Sequence, residues 1–154
     1  MTNTQKIITS IAAFFLLIPG LLEFSDPFKT MFTIQIEKSG LPLPRFSFII
    51  GQWSEIIIGI LLYGLLYFWK KFPQNLANQF FYICYISIFP LMIIAIYVQL
   101  HPNVPPSVLP LESKFPFLAL TLLILSGLNI HLQQKGEQKH AQPHVELVRQ
   151  NKSN

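Results

Sequence analysis

Charge is what this chain lacks. Of its 154 residues only 12% are Asp, Glu, Lys or Arg, about half the share of an ordinary soluble domain. The shortage disfavours a soluble globular enzyme and a disordered chain. Lys and Arg number 11 against 7 Asp and Glu, but they are scattered. No basic stripe of the kind a phosphate backbone needs is formed, so nucleic acid is not an expected partner. Cysteine is almost absent. The single Cys84 excludes an intrachain disulfide, a CxxC redox pair and a cysteine-based zinc site. No internal repeat and no cofactor-binding motif is present, so catalysis by the chain itself is not expected.

What fills the chain is apolar: 51% of the residues are hydrophobic, and the gaps between charges are long. Ile7–Leu22 carries no charge, Phe46–Trp69 carries only Glu55, and Phe72–Leu111 and Phe115–Gln134 carry none. A helix needs about 20 mostly apolar residues to cross about 30 Å of hydrocarbon. The pattern predicts four spans, over 6–25, 46–69, 78–100 and 115–133, and only helices satisfy their backbone internally at that length in lipid. The expected fold is an all-α integral membrane four-helix bundle running up-down-up-down. Lys6 and the apolar run after it have the outline of a signal peptide. Pro19-Gly20-Leu21-Leu22-Glu23 offers no small-x-small cleavage site, however, so a retained helix is expected. Pro19-Gly20 and Pro90 are expected to bend their helices.

With four spans both termini share a side. That side holds Lys6, Lys70, Lys71, Lys135, Lys139, Arg149 and Lys152, against Lys29, Lys38, Arg45 and Lys114 on the other. The asymmetry predicts a cell-membrane protein with both termini cytoplasmic. Trp69-Lys70-Lys71 reads as an interfacial anchor. Between the first two spans, Asp26-Pro27 reads as an N-cap followed by a first-turn proline. Phe28, Met31, Phe32 and Ile36 then recur at helical spacing, and Ser39-Gly40 closes the segment. This predicts a short amphipathic helix in the outer interface. The connection His101–Lys114 is too proline-rich for a regular helix. The tail 135–154 is polar and is expected to be helical at most in part, and mobile.

An ionisable residue inside a span is a functional hypothesis by default. Glu55 lies about 13 Å along the second span by helical rise, in the outer half. Gln52 shares its face, and Gly51, Glu55 and Gly59 form a stripe that lets another helix come close. Two readings stand for Glu55: a ligand- or proton-binding carboxyl, and interhelical glue. Glu23, Tyr97, Gln99 and His101 belong to the same outer half, so a bundle could gather Glu23, Gln52, Glu55, Tyr97 and His101 into one polar cluster. His101 alone reads better as a helix-end histidine than as a metal ligand. His140 and His144 are separated by Pro143, and no metal is assigned. Cys84 reads as a small buried apolar residue, and Tyr82 and Tyr85 as packing. Ser126, Gly127 and Asn129 could support close packing or hydrogen bonds across helices.

These segments together resemble the DoxX-like family of four-helix membrane proteins. The likeness rests on Gly20-Leu21-Leu22-Glu23-Phe24, the proline-led interfacial segment, Ser39-Gly40-Leu41-Pro42 and Gly51-Gln52-Trp53-Ser54-Glu55. It extends to His101-Pro102-Asn103-Val104-Pro105 and Val108-Leu109-Pro110-Leu111. It covers residues 7–133 and departs at Glu23, where many members carry lysine. The resemblance implies a fold more than an activity. Members of the wider family include a subunit associated with thiosulfate:quinone oxidoreduction, partners of redox and detoxification proteins, and assembly factors. It therefore implies a non-catalytic accessory subunit of a redox or stress-response system, with quinone as the ligand class and an unnamed membrane or redox protein as partner. A small transporter or proton pathway through Glu55, and a structural assembly factor, are the alternatives. The inner half of the second and third spans is almost entirely apolar, which counts against transport.

Overall fold

A computed structural model describes residues 1–152, with side chains described except at 111 and 139–152. The helices are α1 (Asn3–Leu22), α2 (Phe28–Lys38), α3 (Pro44–Phe68), α4 (Gln74–Leu100) and α5 (Phe117–Lys152). Short 3-10 turns at Pro106–Val108 and Pro110–Glu112 join α4 to α5. Among the described residues there is no strand. Four helices are long and apolar enough to cross a membrane: α1, α3, α4 and the Phe117–Gln138 part of α5. The chain is a small multi-pass membrane protein built as an all-α four-helix bundle.

The four long helices close into a ring in which α1 packs on α3, α3 on α4, α4 on α5 and α5 on α1, and the α1–α3 seam is the most extensive. The core is lined by Ala12, Ala13 and Leu16 of α1, Leu62 of α3, Phe81, Tyr85 and Ile88 of α4, and Leu122 of α5. The outward faces are equally apolar, with Ile83, Ile86, Ile93 and Ile124 all exposed. A helix that is apolar all round needs lipid on its free side. The bundle has two ends. One holds the start of α1, and the other holds α2 and the proline-rich turns; they are called here the terminus end and the loop end.

Local chemistry explains the helix boundaries. A capping box starts α1 upstream of Lys6: the Thr2 hydroxyl accepts from the Gln5 backbone N–H at 3.2 Å, and the Gln5 side-chain Oε1 accepts from Thr2 N–H at 2.7 Å. Ser39 caps the end of α2 and Gly40 follows at φ +70°, as the sequence predicts. The amphipathic α2 lies against α3, where the Phe32 and Phe48 rings are 5.3 Å apart, and Ile36 is buried.

Four expectations need correction. Asp26 does not cap α2: its carboxylate accepts the Thr30 hydroxyl at 2.7 Å, and the N-cap position falls on Pro27, which has no capping side chain. Trp69 is not an interfacial anchor. It folds back onto Phe81 edge-to-face at 6.2 Å and is buried, while Lys71 lies over the exposed Tyr67 ring at 5.0 Å. The polar tail is helical as far as Lys152. Gln and Lys are its commonest residues and are good helix formers, and the Glu137 carboxylate ties its root to Asn78 at 2.8 Å. The side chains of His140 and His144 lie outside the described residues. Finally, Gly51 faces the Phe32 ring of α2 and not a bundle helix, whereas Gly59 does meet α1.

Candidate functional site

The loop-end site is made by the close approach of α1 and α3. Two glycines permit it. A methyl group on Gly20 would lie 2.9 Å from Ile56 Cγ1, 3.2 Å from Glu55 Cβ and 3.4 Å from the Gln52 carbonyl oxygen. One on Gly59 would lie 3.0 to 3.2 Å from Leu17 Cβ and its backbone. Small residues that let backbones meet are the usual device where lipid supplies no hydrophobic drive between helices. Gly20 therefore sets the end of α1 directly on the Gln52–Ile56 turn, and Glu23, one turn beyond Gly20, comes within Coulombic range of Glu55.

The cluster is largely buried and unsatisfied. Glu23 is 8% and Gln52 4% exposed, and Glu55 is half-buried. Glu23 Oε2, Gln52 Nε2 and Glu55 Oε2 are each buried with no hydrogen-bonding partner. Three such atoms at one seam are exceptional, because most buried polar atoms are paired and leaving one unmade costs about 1–3 kcal/mol. The cluster borders the lipid face, where the exposed Phe24 and Trp53 rings meet edge-to-face at 5.9 Å. Chemically it offers an amide donor and two carboxyls, each of which accepts when ionised and donates when protonated.

Of the five residues expected to gather, the structure brings together Glu23, Gln52 and Glu55. Tyr97 and His101 make other bonds. The Tyr97 hydroxyl donates to the Ser39 carbonyl at 3.1 Å, fastening α4 to the end of α2. His101 ends α4: its ring Nδ1 accepts from the Asn103 N–H at 3.3 Å, and its carbonyl accepts from Lys114 Nζ at 2.7 Å. Both side chains serve the loop-end cap, to which Gln35 adds a bond to the Val108 carbonyl. Among the described residues, no group of His, Cys, Asp and Glu could hold a metal ion.

A second polar assembly occupies the terminus end: Asn129 bonds across helices, as its place in the span suggests, and Tyr85, expected only to pack, bonds with it. Tyr85 of α4 donates to the Thr9 hydroxyl of α1 at 2.8 Å. Asn129 Nδ2 of α5 donates to the Tyr85 hydroxyl at 2.6 Å and to Thr9 Oγ1 at 3.0 Å. All three residues are fully buried. One turn nearer the terminus end, Gln5 Nε2 donates to Gln133 Oε1 at 2.8 Å. Gln133 Nε2 in turn donates to Asn78 at 3.1 Å and to Glu137 at 3.2 Å. The terminus-end half of the bundle is therefore not apolar throughout: α3 is, but α1, α4 and α5 carry a polar ladder. The signal was there to read. Gln5 and Thr9, and likewise Asn129 and Gln133, are spaced i, i+4, so each pair lies on one face of an otherwise apolar helix.

Comparison of the chain with protein-family models, with curated proteins and with solved structures finds no match.

Proposed function

We propose that this multi-pass membrane protein is a non-catalytic accessory subunit of a redox or stress-response system, of the DoxX-like kind. In this reading Glu23, Gln52 and Glu55 receive the polar head of a lipophilic ligand, and a quinone is the class that fits. One observation carries the reading: three buried side-chain atoms without partners meet at a single helix seam beside lipid. A quinone presents two carbonyl oxygens to the Gln52 amide and a protonated carboxyl, and its reduced form presents hydroxyl donors to an ionised one. Phe24 and Trp53 would flank its ring.

A transmembrane proton or solute path is the weaker reading. Between Thr9 and Gly20, α1 offers the interior only Ala12, Ala13 and Leu16, each fully buried, and Leu62, Ile88 and Leu122 complete an apolar layer across the bundle. Conduction needs polar groups through that depth.

The Lys/Arg asymmetry supports cytoplasmic termini, with the carboxyl cluster in the outer leaflet. A reporter fused after Asn154 should report cytoplasm, and one inserted within 102–110 the outside; the reverse would overturn this orientation. For the ligand, protein purified in mild detergent should bind an added short-chain quinone and retain its protein partner. Glu55→Gln should fold and lose the quinone. Wild-type protein that binds no quinone, or a Glu55→Gln variant that binds it equally, would overturn the assignment.

A further inference from the structure

The node of Thr9, Tyr85 and Asn129 is incomplete as a set of hydrogen bonds. Both amide hydrogens of Asn129 are used, one on Tyr85 and one on Thr9. The Tyr85 hydrogen goes to Thr9, and the Thr9 hydrogen goes to the Gln5 carbonyl at 2.7 Å. No donor in the node is left over. Yet Asn129 Oδ1 is buried with no partner, and so is Ser126 Oγ, one turn earlier on the same helix. Flipping the Asn129 amide does not help. It would turn the oxygen to Tyr85 and leave two buried N–H donors in place of one buried acceptor.

We infer that the bundle binds one buried water molecule between Ser126 Oγ and Asn129 Oδ1, and that the three-helix node is complete only with it. Water supplies what the protein lacks there: a hydrogen for Asn129 Oδ1 and a lone pair for the Ser126 hydroxyl. The ligand is neutral and single because every group around it is neutral and fully enclosed. Ser126, Asn129, Thr9 and Tyr85 all have 0% exposure. The helix register sets a small side chain opposite these atoms. α1 and α5 run antiparallel, with Gln5 bonded to Gln133 and Thr9 to Asn129. One further turn sets Ala13, fully buried and with only a methyl side chain, level with 125–126. A water with two to four polar partners in such a site is part of a structure and costly to remove.

Hydroxyl-radical labelling by radiolysis tests this, since an ordered water beside a side chain generates the radical where bulk solvent cannot reach. Full-length protein in detergent is exposed and mapped by mass spectrometry. After scaling for the greater intrinsic reactivity of tyrosine toward the radical, Tyr85 should be labelled clearly above Phe81, which is one turn away on α4 and equally buried. Ser126→Ala should abolish that excess, and Ser126→Thr, which keeps the hydroxyl, should retain it. Wild-type Tyr85 labelled no more than Phe81 would overturn the inference. An excess unchanged by Ser126→Ala would also overturn it. If Ser126→Ala does not fold, the comparison of Tyr85 with Phe81 in wild-type protein decides alone.

Discussion

The two ends of the bundle bury polar groups in opposite ways. At the terminus end Thr9, Tyr85 and Asn129 come from three helices and bond to one another, and the ladder continues through Gln5, Gln133 and Asn78. At the loop end Glu23, Gln52 and Glu55 come from two helices, and each buries an atom that bonds to nothing. The first arrangement holds helices in register. The second is held in place by something else, namely the glycine contacts of the α1–α3 seam, and each of its three side chains leaves an atom unpartnered, where the node leaves only Asn129 Oδ1 and its neighbour Ser126 Oγ. Thr9, Tyr85 and Asn129, all neutral, sit in the enclosed interior, and the carboxyls of Glu23 and Glu55 sit beside lipid. The proposed function rests on this difference, with architecture at one end and ligand chemistry at the other.

The largest expected effect comes from breaking the seam. Gly59→Val places side-chain atoms where the Leu17 backbone lies 3.1 to 3.2 Å from a single added carbon. Overpacking of this kind costs about 1–3 kcal/mol, read as a lowered unfolding temperature in detergent. Quinone binding should fall with it, because α1 and α3 must separate. Gly64→Ala on the same helix meets nothing within 4 Å and should leave quinone binding unchanged and the unfolding temperature equal or raised, alanine being the better helix former.

Breaking the node should come next. Asn129→Leu removes two interhelical donors and should destabilise by about 1–2 kcal/mol on model-peptide values, with quinone binding intact. A double-mutant cycle with Thr9→Val should show coupling, because the two residues share one hydrogen bond. Equal loss of ligand in Asn129→Leu would erase the distinction between the two ends.

The acids should behave in reverse. Glu23→Gln keeps the shape and replaces a carboxyl that has an unpartnered oxygen, so the unfolding temperature should hold or rise while ligand affinity drops. A clear destabilisation would recast the cluster as glue.

Tyr97→Phe should have the smallest effect. It removes one bond to the Ser39 carbonyl from a half-exposed side chain, worth about 0.6 kcal/mol by membrane double-mutant cycles. Quinone affinity should not change, which would keep Tyr97 outside the site.

Several elements were legible before any coordinates. The four spans, α2 and its Ser39-Gly40 stop, and the burial of Cys84 all follow from local runs and turn residues. Within the site Glu55 and Gln52 stand out because a polar residue in an apolar run is conspicuous. Tyr97 and His101 looked equally conspicuous and went elsewhere, since shared depth in the membrane does not fix which way a helix faces. Trp69 misled for a related reason: a tryptophan beside two lysines has the composition of an interface, but the α3–α4 turn rotates its ring onto Phe81.

The sequence by itself determined that this chain lives in lipid, how many times it can cross, and where its charges must be few. Those properties add up residue by residue over windows of about 20 positions, and need no partner. Only the tertiary structure decided which polar groups meet. Tyr85 finds Thr9 across 76 residues and Asn129 finds Thr9 across 120, while Glu23 meets the Gln52–Glu55 turn because Gly20 allows it. Such meetings depend on the rotation and register of whole helices. Those are set jointly by all the packed residues along a seam, and no local window contains that information.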